Sequence, residues 1–144
     1  MAIKFEVNQQ SGSKIVVSHW QKWLKRIEQE LKLKKALEVS VAVVGDSVIK
    51  RLNRQYRHKD KVTDVLSFGE LENKNKAPVG YLGEIVICYP QAVRQAKKAK
   101  HTVLKELQIL FTHGFLHLLG YNHEKASEAA EMEGLEAKIL KIRR

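Results

Sequence analysis

The sequence predicts an α+β fold, a small, mostly four-stranded mixed sheet covered by about five helices. Three observations point there. Four short segments, 3–8, 37–44, 62–68 and 82–89, alternate or run continuously apolar and are rich in β-branched residues. Two segments of helical periodicity stand between the first three strands, and three more follow the last one. No repeat, low-complexity run or linker interrupts the 144 residues, a length that suits one domain with a full hydrophobic core.

Taken in order, IKFEVN (3–8) alternates apolar and polar residues as a half-buried strand does. In KIVVSHWQKWLKRIEQELKL, residues Val16, Val17, Trp20, Trp23, Leu24, Ile27 and Leu31 recur at helical spacing. They predict an apolar face, with Trp20 and Trp23 in the core and Lys22, Lys25, Arg26 and Lys32 largely elsewhere. LEVSVAVV (37–44) is a second strand that Gly45 ends. Asp46 or Ser47 can then cap a short helix over Val48, Leu52 and Tyr56, running from 47 to 57. VTDVLSF (62–68) reads as the third strand, and GELENKNKAPVG (69–80) as a polar surface loop. LGEIVICY (82–89) is apolar almost throughout, so a well-buried strand, and Pro90 ends it. Helices follow over about 90–99 and 102–119, with Gly120 stopping the second. The last helix, about 126–141, carries Met132, Leu135, Ile139 and Ile142 on one stripe. Its early Glu128, Glu131 and Glu133 and late Lys138, Lys141, Arg143 and Arg144 suit the helix macrodipole.

Twenty-six Lys and Arg against sixteen Asp and Glu leave a net charge of +10. That excess attracts polyanions, and it predicts nucleic acid or the ribosome as a partner ahead of plain solubility. No terminal segment is a basic amphipathic anchor and no apolar run is long enough to span a bilayer, so no membrane is expected. MAIKFEVNQQ lacks the apolar core of a secretory leader, and one cysteine makes no internal disulfide; both predict a cytoplasmic chain, intact from its first residues.

The stretch HGFLHLLGYNH, 113–123, holds three of the six histidines. On a helix over 102–119, Val103, Leu107, Leu110, Phe111 and Gly114 share one face, and His117 continues that face toward its edge. His113 lies one turn earlier, so the i, i+4 pair projects both rings to one side. Gly120 lets the chain leave the helix, and a tight turn can swing His123 into the same place. One histidine at the edge of an apolar face is ordinarily just a satisfied polar group. Three in this short stretch, around a helix-breaking glycine, predict metal binding. Three imidazoles suit one Zn2+ per chain, with no small-molecule cofactor, and leave a fourth tetrahedral position open as catalytic sites do. Water bound there has its pKa drawn down toward about 7. A zinc peptidase would carry a Glu general base beside the first histidine; Gly114 stands there instead, which disfavours peptide hydrolysis. Glu106, two turns back, and Glu124, just after the cluster, are candidates to orient a histidine through its second ring nitrogen.

The same residues resemble the H-G-x-L-H-L-x-G-Y-D-H pattern of the YbeY family, the endoribonucleases and rRNA maturation factors of bacteria. LNRQYRHKDKVTDVLSF (52–68) resembles that family's L-N-x-x-Y-R-x-K-D-x-P-T-D-V-L-S-F, and LGEIVIC (82–88) its L-G-D-I-x-I strand. Order and spacing agree from roughly residue 37 to the C-terminus, and the preceding residues add little. The departures are Asn122 for Asp, Val62 for Pro, Gly69 where Pro often follows the Phe, and Glu84 for Asp. None removes a metal ligand; Asn122 removes a charge beside His123, and Glu84 keeps its charge on a longer side chain. The resemblance implies one YbeY-like domain over 1–144, a metal-dependent, single-strand-specific endoribonuclease that uses zinc. It further implies work in 16S rRNA 3′-end maturation, ribosome assembly and ribosome quality control. The implied partners are single-stranded RNA, 16S rRNA, and the ribosome or its small subunit. His113, His117 and His123 match the family's metal ligands, and Arg57 matches its functionally important arginine.

On the residues alone, Arg57 is a basic helix end beside Arg54, Lys59 and Lys61, where cations are favoured anyway. The resemblance places it on the scissile phosphate, which a guanidinium fork can grip bidentately. Arg54, Arg57, Lys59 and Lys61 are accordingly the RNA-binding candidates. Asp64 and Ser67 either line the cleft or face solvent, and Tyr121 either stacks a base or packs. Cys88 reads as a small buried residue, and His19, His58 and His101 as isolated and exposed. Two other functions compete: a ribosome-binding assembly factor with a structural zinc, and a zinc hydrolase of a non-RNA substrate. The open metal position disfavours the first; charge and Arg57 disfavour the second.

Overall fold

A computed structural model describes residues 3–69 and 78–141. The chain runs β1 (Ile3–Gln9), α1 (Val17–Leu31), β2 (Leu37–Val44), α2 (Asp46–Arg57), β3 (Val65–Gly69), β4 (Gly80–Cys88), α3 (Tyr89–Ala99), α4 (Val103–Leu118) and α5 (Ala126–Leu140). The strands form one sheet in the order β1-β2-β4-β3. β1 and β4 both run parallel to β2, and β3 lies antiparallel to β4 at the edge. A mixed sheet with five helices is the α+β architecture that the patterning predicts. Parallel neighbours need long crossovers, and α1 supplies the one between β1 and β2.

The strand period of two divides the core. Val39, Val41, Val43, Ile85 and Ile87 face α1, α4 and α5, while Val44, Val86 and Cys88 join Ile49 of α2 on the other side. With both faces covered, the second half of β4 needs a continuous apolar run, as Ile85–Cys88 provides. Trp20 of α1 meets Phe111 of α4 edge-on at 5.3 Å, and Phe111 meets Phe115 at 6.1 Å. α4 is buried on most of its circumference and starts from Thr102, whose side chain accepts the Lys105 N–H at 3.1 Å.

Several element ends differ from the periodicity. Val16 and Val17 are exposed, because α1 begins only at Val17 and Val16 is its extended N-cap. Neither Asp46 nor Ser47 caps α2; Gly45 holds that position. The Asp46 carboxylate instead accepts from Arg94 at 2.7 and 3.1 Å and from the Cys88 thiol at 3.3 Å. α2 buries Ile49 and Asn53, one residue round from the expected stripe, and leaves Tyr56 52% exposed. β3 begins at Val65, where the Asp64 carboxylate takes the Val65 N–H at 2.7 Å. Tyr89 opens α3 rather than closing β4, with Pro90 in the first turn, where no helical N–H is needed. Gly69 and Gly80, the ends of the expected loop, are paired within β3 and β4. Residues 70–77 of that loop, and Ile142, Arg143 and Arg144 of the last helix, lie outside the described residues.

Gly114 is where α4 presses on the sheet. A Cβ there would sit 2.8 Å from Ile85 Cγ2, 3.1 Å from Ser67 Oγ and 3.3 Å from Val65 Cγ2, while the Ser67 hydroxyl donates to the Gly114 carbonyl at 2.9 Å. The glycine between the helical histidines is therefore a packing requirement. Gly114→Ala should destabilise the protein by up to about 2 kcal/mol. Overpacking costs about 1–3 kcal/mol and the better helix former returns up to about 1. Urea unfolding of both proteins at one pH checks this.

Candidate metal centre

α4 ends in a Schellman motif. The Gly120 N–H (φ 93°) donates to the His117 carbonyl at 3.0 Å and the Tyr121 N–H to the Leu116 carbonyl at 3.1 Å. The chain then folds back, and the Asn122 side-chain oxygen accepts the Glu124 N–H at 3.1 Å. An Asp carboxylate could accept that same bond, so the turn does not depend on the departure at 122. His123 is thereby stacked on His113, ring centres 4.9 Å apart at 17°, and stands 5.3 Å from His117.

The three imidazoles each offer a nitrogen within 4.8 Å of the others. His113 Nε2 and His117 Nε2 are 3.0 Å apart, against about 3.4 Å expected for two nitrogens on one tetrahedral zinc. The far nitrogens are engaged. His117 Nδ1 faces the Tyr121 carbonyl at 2.9 Å, and His113 Nδ1 faces Glu136 Oε1 at 3.1 Å. Both partners accept, so the protons belong on Nδ1 and the Nε2 lone pairs point into the shared space. The donor set fits a zinc-like ion.

Burial, helped by the neighbouring His113, pushes the His117 pKa from 6.5 down to about 4, so its ring is neutral at pH 7. In the unfolded chain this residue takes up a proton near pH 6.5, whereas in the folded protein it resists until about pH 4. The metal-free protein should therefore lose stability as pH falls through that window, and keep it above. In His117→Asn this loss should be absent, so the variant gains on the wild type between pH 7.5 and 4.5. Denaturant unfolding of metal-free samples at both pH values measures it.

The cluster opens on a cleft of about 450 Å3 whose walls include Arg57, Asp64, Ser67, His113, His117 and Tyr121. Asp64, Ser67 and Tyr121 thus line the cleft. Asp64 is held by the Val65 N–H and, at 3.3 Å, by the Gln95 side-chain amide. Arg57 reaches the cleft from the end of α2, donating from Nη2 to the Ser67 carbonyl at 2.7 Å, its guanidinium carbon 5.5 Å from the centre of the Phe68 ring. Buried Asn53 fixes the turn after it, donating to the Lys61 carbonyl at 3.0 Å and accepting the Lys59 N–H at its own carbonyl at 3.3 Å. Arg54, Lys59 and Lys61 are exposed and outside the cleft lining.

Of the two carboxylates expected to orient a histidine, neither meets the cluster in this way. Glu106 is buried and accepts from Gln95 at 2.9 Å, with its other oxygen 2.7 Å from His101 Nε2; His101 is accordingly neither isolated nor exposed. Glu124 is exposed at the cleft. Glu136 of α5 holds that place, with Oε1 also 4.0 Å from His123 Nε2. Its legible signal was position: it follows buried Met132 by one helical turn, where a carboxylate is out of keeping with the apolar stripe. His19 is half-buried and stacks on Trp23 at 6.1 Å, whereas His58 is exposed at the end of α2. Cys88 is buried as expected, its thiol pushed up to about 11 mainly by burial. Among the described residues no helix is long and apolar enough to cross a membrane.

Comparison with known proteins bears on the same surface. The family model for Endoribonuclease YbeY matches residues 3–143. Endoribonuclease YbeY of Moorella thermoacetica is 49% identical over 111 residues, 72% of this chain and 70% of its own length. The Ureaplasma urealyticum protein of that name is 38% identical over 135 residues, 94% of this chain and 86% of its own. The solution structure of TM1509 from Thermotoga maritima superimposes with a TM-score of 0.61 at 28% identity, covering 96% of this chain and 89% of that one. With a match that spans β1 through α5 and takes in the histidine cluster, the chain belongs to the endoribonuclease YbeY family, a family of nuclease enzymes.

Proposed function

We propose that this protein is a zinc-dependent endoribonuclease of single-stranded RNA, acting as a single domain in the cytoplasm. Its task is 16S rRNA 3′-end maturation, with roles in ribosome assembly and quality control at the small subunit. The observation that carries the reading is one cleft lined by the Arg57 fork and by His113 and His117, with His123 completing the three convergent imidazoles. The net charge of +10 supports a polyanionic substrate.

His113, His117 and His123 hold the ion, with Glu136 and the Tyr121 carbonyl keeping two rings in the ligating tautomer. Bound zinc supplies Lewis acidity and brings the pKa of water toward about 7. Arg57 grips the scissile phosphate through donors left free of Ser67 and offsets charge that builds up on its oxygens during cleavage. Arg54, Lys59 and Lys61 attract the flanking backbone.

The test is cleavage of single-stranded rRNA by the zinc-loaded protein beside an equally purified His117→Ala variant. Cleavage by the wild type alone supports the reading. Equal cleavage by both overturns the metal mechanism. Cleavage by neither, with zinc bound and the fold intact, leaves a ribosome-dependent assembly factor as the better description.

A further inference from the structure

We infer that Tyr56, backed by Phe68, is a stacking subsite for the nucleobase next to the phosphate held by Arg57, and that this subsite demands a single strand. The inference rests on the RNA reading above. Tyr56 and Arg57 are consecutive in the last turn of α2, yet both converge on one ring of β3. The Tyr56 ring meets Phe68 in a T-shaped contact, centres 5.2 Å apart at 67°, and the Arg57 guanidinium carbon is 5.5 Å from the same Phe68 centre. Phe68 is half-buried and packs against the smaller core, so the platform has a fixed floor.

Tyr56 itself is 52% exposed and takes no part in the side of α2 that is buried, Ile49 and Asn53. Here a large flat ring faces water in a basic stretch, among Arg54, Arg57, Lys59 and Lys61, with Asp60 its one acid. Aromatic faces interleaved with cations are what single-stranded nucleic acid uses: the cations follow the backbone and the ring takes a base face. A duplex keeps its base faces stacked on one another and has none to offer. With Arg57 and Tyr56 sharing one floor ring, a phosphate on the guanidinium puts an adjoining base within reach of the tyrosine.

Binding of a short oligoribonucleotide, with 2-aminopurine placed at each position in turn, tests this on the full chain freed of metal so that the strand stays uncut. In the wild type, fluorescence should be quenched at one position. Tyr56→Phe should keep that quenching and the affinity. Tyr56→Ala should lose the quenching and bind about 5- to 150-fold more weakly, the span of one base stacked on one ring. It should also lose most of the preference for the single strand over the same sequence in a duplex. Removing the base at the quenched position should weaken the wild type and leave Tyr56→Ala nearly unchanged. That last comparison answers a purely structural role, since a displaced Arg57 would weaken both oligonucleotides alike. Tyr56→Leu, which can still cover Phe68, should behave as Tyr56→Ala does. Unchanged affinity and quenching in Tyr56→Ala overturn the subsite and leave the nuclease reading standing. No RNA bound by the wild type overturns the RNA reading and the subsite together.

Discussion

Arg57→Ala should cut single-stranded RNA about 10^2- to 10^3-fold more slowly than the wild type while holding the same amount of zinc. The histidines lie on α4 and in the turn after it, and none of their ring partners involves Arg57, so metal content should not follow the substitution. What is lost is a pre-placed fork: the bond to the Ser67 carbonyl and the Phe68 ring beneath hold the guanidinium at the cleft before any substrate arrives. Arg57→Lys restores the charge without the fork and should fall between the two. Initial cleavage rates at saturating zinc, with metal content measured on the same samples, decide it. Wild-type cleavage in a well-folded Arg57→Ala would remove Arg57 from the mechanism.

Glu136→Ala should weaken zinc binding about 10- to 100-fold. The carboxylate accepts from His113 Nδ1, and without it that ring is free to turn or to present its other tautomer. Glu136→Gln keeps an acceptor oxygen but not the charge, and should lie in between. Competition against a chromophoric chelator reads both. A looser α5 could also lower affinity, and Arg26→Ala separates the two causes. Arg26 clamps the last turn of that helix, just beyond Glu136, donating to the Ile139 carbonyl at 3.0 and 3.2 Å and to the Lys138 carbonyl at 3.2 Å, without touching the carboxylate. If Arg26→Ala weakened zinc as much as Glu136→Ala and Glu136→Gln had no effect, docking of α5 would be the cause.

The elements were legible where burial leaves a local mark. β4 is covered on both faces over Ile85–Cys88 and reads as a nearly continuous apolar run, and α1 shows a four-residue buried stripe from Trp20 to Ile27. Their ends were less legible, because distant groups decide them. Asp46 has the chemistry of a cap, but Arg94, far along the chain, recruits its carboxylate and Gly45 caps instead. Glu106 is placed well to serve a histidine, and does lie against one, but it is His101, just before the α4 N-cap, while Gln95 of α3 takes its other oxygen.

The metal cluster shows the same division. His113 and His117 share a side of α4 because four residues make about one turn, and Gly120 ends that helix by an αL cap that glycine adopts without strain. Both facts are properties of a short stretch, and the sequence by itself determined them. Which groups face the cluster was decided only by the tertiary structure. Glu136 arrives on α5 and Arg57 on α2, and their places depend on how those helices pack against α4 and around the edge of β3. Periodicity states which face of a helix is buried; it does not state which polar side chain at that face's margin will meet a partner from another element.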